Sequence, residues 1–217
     1  MEENTNPQSA AAFPTLKQMR VNSHNALRGH WVNAVLCTLV FFIISGVVGA
    51  FTSSSEQLPV LGVIGTALSL LILCPLGFGY NVAFLRHMRG EEDDDLVTRP
   101  FQAFKEYGRY LSTSLLMALF VFLWTLLLVV PGIIMSYAYA LTPYIMHEHP
   151  ELSASECIAR SKQVMRGYKW KLFCLDLTFL GWALLCILSL GIGFLWMQPY
   201  YECARVRFYD SVKEHVA

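Results

Sequence analysis

Long apolar runs alternate along this chain with short polar segments that hold every base. Residues 29–55 and 110–147 contain no Lys, Arg, Asp or Glu, and residues 172–201 contain only Asp176. A helix needs roughly 20 residues to cross the hydrocarbon core of a bilayer. Residues 31–51 make one span with Trp31 at the interface, the polar run 52–57 reads as an external turn, and residues 58–85 return. The second run would extend about 57 Å as one helix against a core of about 30 Å, so it folds back. Pro131-Gly132 predicts the tight turn, between helices of about 111–130 and 133–146. The third run yields two short spans around Gly191-Ile192-Gly193, with a re-entrant hairpin as the alternative.

Charge fixes the sidedness. The sixteen Lys and Arg residues fall into four clusters, at 17–28, 86–109, 160–171 and 205–213. Positive loops stay cytoplasmic, so each apolar run crosses an even number of times. The expected fold is all-α: a polytopic membrane helical bundle of six transmembrane helices, arranged as three hairpin repeats (31–85, 111–147, 172–208) with interfacial amphipathic helices. One integral membrane domain, 16–210, lies between a disordered cytoplasmic tail, 1–15, and a cytoplasmic tail, 211–217. Composition agrees, because 55% hydrophobic and 15% charged residues contrast with the roughly one-quarter charged fraction of soluble domains. About thirty mostly polar residues precede the first span, unlike a cleaved signal peptide, so that span is expected to stay as an anchor. None of the six cysteines forms a C-x-x-C pair, and reduced, packed thiols are expected.

The hairpins share marks. Ala26-Leu27-Arg28-Gly29-His30-Trp31 and Met165-Arg166-Gly167-Tyr168-Lys169-Trp170 read as one phrase with an insertion, and Phe101, Phe104, Tyr107 and Tyr110 recur at helical spacing before the second hairpin. Pro75, Pro143 and Pro199, with Tyr80, Tyr144 and Tyr200 close behind, mark the returning helices. Ser153 and Glu156 form a capping-box pattern. Beyond it Ile158, Ser161, Met165 and Tyr168 share one helix face, leaving Arg160, Lys162, Arg166, Lys169 and Lys171 as candidate contacts to lipid headgroups, each worth about 1 kcal/mol near an anionic surface.

Trp124-Thr125-Leu126-Leu127 leading into Val130-Pro131-Gly132-Ile133-Ile134, then Tyr137-Ala138-Tyr139, Pro143-Tyr144, Ser161-Lys162, Lys169-Trp170-Lys171-Leu172-Phe173, Gly181-Trp182 and Pro199-Tyr200, carry a resemblance. The chain resembles, from about residue 16 to 209, a bacterial integral-membrane family catalogued as a domain of unknown function, number 975. The resemblance implies a bacterial cytoplasmic (inner) membrane protein, and brings no activity, cofactor or site residue.

Candidate chemistry is sparse. Asp176 is the acid set within an apolar run; it reads either as an ion pair with Arg205 or Arg207, or as a ligand or proton site together with Tyr137, Tyr139 and Tyr144. His147-Glu148-His149 lacks ligand spacing and reads as a helix end before Pro150. The acidic block 91–95 reads as a solvated loop. No hydrolase elbow, zinc helix, phosphate loop or dinucleotide fingerprint occurs, so no enzyme, catalytic residue, metal or cofactor is expected. Bases confined to one face give no nucleic-acid reading. The first expectation is a non-catalytic protein that organises lipids or binds other membrane proteins. The alternative is a small transporter, channel or lipid-translocating protein, and a weaker third is a lipid enzyme using Asp176 with His147.

Overall fold

The computed structural model describes residues 13–53, 59–91 and 96–216, and the regular structure within them is all helical. The helices are α1 (Leu16–Ala26), α2 (Trp31–Ser53), α3 (Pro59–Met88), α4 (Tyr107–Leu127), α5 (Val129–Tyr139), α6 (Thr142–Glu148), α7 (Ala154–Val164), α8 (Lys169–Leu188) and α9 (Phe194–Val216), with a 3₁₀ turn at Arg99–Phe104 before α4. Most of the expected N-terminal tail, part of the turn at 52–57 and most of the acidic block lie outside the described residues.

Among the described residues, five segments are long and apolar enough to cross a membrane: Trp31–Ala50, Gly65–Met88, Tyr107–Leu127, Val129–Glu148 and Lys169–Leu188. Their outer faces present large apolar side chains, such as Phe122, Leu126, Leu184 and Leu188. That is how a helix looks when it faces hydrocarbon rather than water. α9 is not in this set. It runs through the middle of the bundle, packed on α1, α2, α3, α7 and α8, and buries Glu202, Cys203, Ala204, Val206, Phe208 and Tyr209.

The turn between α4 and α5 differs from the sequence expectation. It is made by Leu128 alone, in extended geometry (φ −163°, ψ 138°), and Pro131-Gly132 fall inside the first turn of α5. A proline there gives up an N–H that has no helical partner anyway, so the dipeptide marks a helix start rather than the reversal. Gly132 is required for a different reason: a Cβ at that position would overlap Thr125 of α4. The α8–α9 reversal does fall where the glycines predict it, with Gly191 at φ +86°.

The segment Val129–Glu148 is broken at Ala140-Leu141, between α5 and α6. A break inside a bundle leaves carbonyls without helical partners. Each is supplied by a side chain: Ser161 Oγ of α7 donates to Ala138 O at 2.9 Å, Thr142 Oγ1 to Tyr139 O at 2.7 Å, and Arg205 Nη2 of α9 to Ala140 O at 3.3 Å.

α1 and α7 are built alike. Each is an 11-residue helix opened by a capping box, Thr15 with Gln18 and Ser153 with Glu156. Each is followed at the same spacing by a left-handed glycine, Gly29 (φ +85°) and Gly167 (φ +87°). Their buried stripes also correspond, Met19, Ser23 and Leu27 against Cys157, Ser161 and Met165.

Candidate functional site

Two places in the bundle bring polar chemistry to an apolar interior. The first surrounds the break in α5–α6. Asp176 of α8 accepts a hydrogen bond from Tyr201 Oη of α9 at 2.9 Å, and the Tyr137 hydroxyl also bears on its carboxylate. One helical turn further along α9 from Tyr201, Arg205 caps the broken end of α5 through Ala140 O. A cation at a helix C-terminus is favourable because the exposed carbonyls carry partial negative charge. Glu202 lies between them in sequence and is 3% exposed. Gln198 donates to its Oε1 at 3.4 Å, the Tyr144 hydroxyl bears on the same carboxylate, and Arg205 Nε has no hydrogen-bond partner among the described residues.

The arrangement brings together Asp176, Tyr137, Tyr144 and Arg205. Asp176 is absent from the ion pairs among the described residues, and its partners are tyrosine hydroxyls. Arg207 likewise forms no ion pair with it among the described residues. Tyr139 packs instead with Met135, Ala138 and Ile158, its ring 6.3 Å from Phe120, away from the cluster. Glu202 is the residue that reading the sequence missed. The available signal was its place on a stripe with Val206 and Tyr209, spaced as one face of a buried helix.

The second place is an apolar groove of about 580 Å³ between α8 and α9, closed at one end by the α1–α2 junction. Trp182, Leu185 and Cys186 form one wall, Gly193, Trp196 and Met197 the other, and His24, Trp31 and Tyr200 the end. Arg20, one turn before His24, donates from Nε to Tyr200 Oη at 3.4 Å, and its guanidinium carbon lies 5.8 Å from the Phe179 ring centre.

The basic segments divide into two kinds. Arg89 pairs with both Glu148 and Asp210. Glu148 also accepts from Tyr209 Oη at 2.6 Å and Lys213 Nζ at 2.8 Å, and Arg109 caps the end of α6 through Met146 O and His149 O, both at 2.7 Å. Burial works against the charge on Arg89, but the Glu148 hydrogen bond and the Glu148 and Asp210 charges hold its pKa above the usual value. Burial likewise raises the carboxyl of Asp210, which Arg89 only partly offsets. By contrast Arg160, Lys162 and Arg166 point outward and form no ion pair among the described residues. Lys169 is half-buried, and Lys171 Nζ sits 3.8 Å from the Phe13 ring centre. His149 bonds Glu151 at 3.0 Å rather than converging with His147, and among the described residues no group of His, Cys, Asp and Glu has metal-site geometry. The cysteines described are all free.

No curated protein and no solved structure matches the chain. A family model does match, over residues 15–134 and 125–216, which together take in nearly the whole sequence. The chain belongs to the family described as "Protein of unknown function (DUF975)".

Proposed function

We propose that this is a non-catalytic, multi-pass membrane protein that binds and organises lipid. The groove between α8 and α9 carries the reading. Its volume of about 580 Å³ lies in the range of small-ligand sites. Its walls are apolar and aromatic, and it opens between helices whose outer faces are themselves apolar. A hydrocarbon chain is the ligand such walls suit. Partners in this reading are membrane lipids and, through the same outer faces, other membrane proteins.

In the same proposal α9 is a sixth crossing. It passes inside the bundle, where Glu202 and Arg205 meet protein groups rather than lipid. The three pairs α2–α3, α4 with α5–α6, and α8–α9 are then degenerate repeats, a reading supported by the matched caps, glycines and buried stripes of α1 and α7. The four basic segments and both termini face the cytoplasm of a bacterial inner membrane, as the charge bias favours.

A second reading is a small transporter or lipid-translocating protein. The break in α5–α6 beside a buried acid favours it, because discontinuous helices hold the substrate and ion sites of many transporters.

Tryptophan quenching tests the lipid reading. The protein is reconstituted with phospholipid carrying brominated acyl chains at increasing mole fraction. A filled groove predicts a saturable quenching component at low fraction, removed by joint Trp182→Phe and Trp196→Phe substitution. Quenching that only follows the bulk fraction sinks the reading.

A further inference from the structure

The end of the groove is chemically different from its walls, and the difference lies in α1. Lys17, Arg20 and His24 are spaced at i, i+3 and i+7, which places them on one stripe of the helix. The helix contains no acid. The adjoining stripe, Met19, Ser23 and Leu27, is fully buried, so the basic stripe is held at a fixed orientation beside the bundle rather than sweeping through solvent.

His24 lines the groove end, and Arg20, one turn before it, reaches the groove through Tyr200. Its Nε donates to Tyr200 Oη at 3.4 Å, and Tyr200 is a groove residue. Its guanidinium lies 5.8 Å from the Phe179 ring centre, and His24 approaches both Trp31 and Tyr200, with ring centres 5.6 and 6.3 Å away. Two aromatic contacts therefore position the guanidinium, yet it forms no ion pair among the described residues. Its two Nη nitrogens carry no hydrogen bond there. A planar fork with both terminal nitrogens unengaged is the geometry that binds phosphate oxygens bidentately. Among the described residues, Arg86, Arg89, Arg99, Arg109 and Arg205 have protein acceptors for a terminal guanidinium nitrogen or Nε.

We infer that the groove takes a phospholipid with a net negative headgroup, its acyl chain along the Trp182–Trp196 walls and its phosphate on the Arg20 fork beside His24. The inference rests on the lipid reading above and adds the class of lipid. The site selects anionic lipid because α1 brings three basic side chains and no acid to the headgroup end, while the apolar walls select only for a chain. Lys17, one turn before Arg20 and exposed, extends the field toward a headgroup that projects outward.

The test is native mass spectrometry of the full chain released from vesicles of equal phosphatidylglycerol and phosphatidylethanolamine. The expected result is one retained lipid, with phosphatidylglycerol preferred. Arg20→Gln lowers that preference about fivefold, the size of one basic contact at an anionic surface, while total retention persists. Lys105→Gln, at an exposed base just past the 3₁₀ turn, leaves it unchanged. Equal retention of the two lipids by the unsubstituted protein overturns the headgroup assignment and leaves the groove reading intact. That comparison needs no variant to fold. No retained lipid of either kind removes both readings. Displacement of phosphatidylglycerol by millimolar inorganic phosphate also overturns the assignment, since the site would then serve free phosphate rather than a lipid.

Discussion

The first three helices and the last three use the same parts for different ends. α1 and α7 share length, capping box, buried stripe and terminal glycine, and each leads into a long apolar helix followed by one containing a proline, Pro75 in α3 and Pro199 in α9. Beyond those prolines Val82 and Val206, and Phe84 and Phe208, occupy matching buried positions. The two arms part company in their polar groups. In the first arm Tyr80 meets Thr38 of α2 at 2.8 Å, a neutral pair that satisfies itself. In the last arm the corresponding stretch carries Glu202 and Arg205 and reaches out to the break in α5–α6. A common frame thus packs by its apolar stripe, while the few polar positions decide what each arm is attached to.

Substitution at matched positions sharpens this contrast most strongly at Arg205. Asn81 and Arg205 stand at the same distance after their prolines. Arg205→Met strips the cation from Asp176 and Glu202 and leaves Ala140 O without its donor, a loss of about 3–5 kcal/mol by analogy with broken buried charge groups. Asn81→Met, half-buried in the neutral arm, is expected to cost less than about 1 kcal/mol. Thermal unfolding in detergent ranks the two. Comparable losses would mean that the last arm's charges are no more committed than the first arm's amide.

The two buried serines give the next largest difference. Ser23 Oγ donates to Met19 O in its own helix at 2.7 Å, a carbonyl that already has a helical partner. Ser161 Oγ crosses to Ala138 O. Ser161→Ala is therefore expected to cost about 1–3 kcal/mol, the penalty for an unsatisfied buried carbonyl, and Ser23→Ala under about 1 kcal/mol. Alkylation of Cys157, fully buried on the same helix as Ser161, reports the local loosening. Its rate should rise with Ser161→Ala and stay flat with Ser23→Ala.

These contrasts also mark how far the sequence could be read. Hydropathy identified the helices whose outer faces are apolar, the composition a lipid-facing surface would require. It was least informative for α9, which packs against α1, α2, α3, α7 and α8 and is therefore free to carry Glu202, Arg205 and Arg207. The stripe of α7 was legible because a buried face repeats at the helical period. Pro131-Gly132 misplaced the α4–α5 turn because the same dipeptide suits a helix's first turn. The tyrosine partners of Asp176, and the link from Arg89 to Glu148 and Asp210 across 59 and 121 residues, follow from tertiary packing. No local pattern announces them.

The smallest expected difference lies in the two capping boxes. The α1 box closes with Gln18, which does not titrate in water, and the α7 box with Glu156, whose carboxylate accepts from Ser153 N at 2.8 Å and Ser153 Oγ at 2.6 Å. Those bonds hold the Glu156 carboxyl below its usual value. A group whose pKa is lowered on folding stabilises the fold fully above its unfolded value, about 4.3 for Glu. That contribution is lost as pH falls through the lower folded value. The start of α7 should consequently fray on acidification while the start of α1 does not. Hydrogen exchange of the Glu156 and Cys157 amides, corrected for intrinsic rates, should quicken relative to Gln18 and Met19 as pH drops below about 4. Glu156→Gln should abolish that difference, since its amide keeps the bond to Ser153 N and removes the titration. Parallel quickening in both helices would place the acid sensitivity in the bundle as a whole and erase the distinction between the caps.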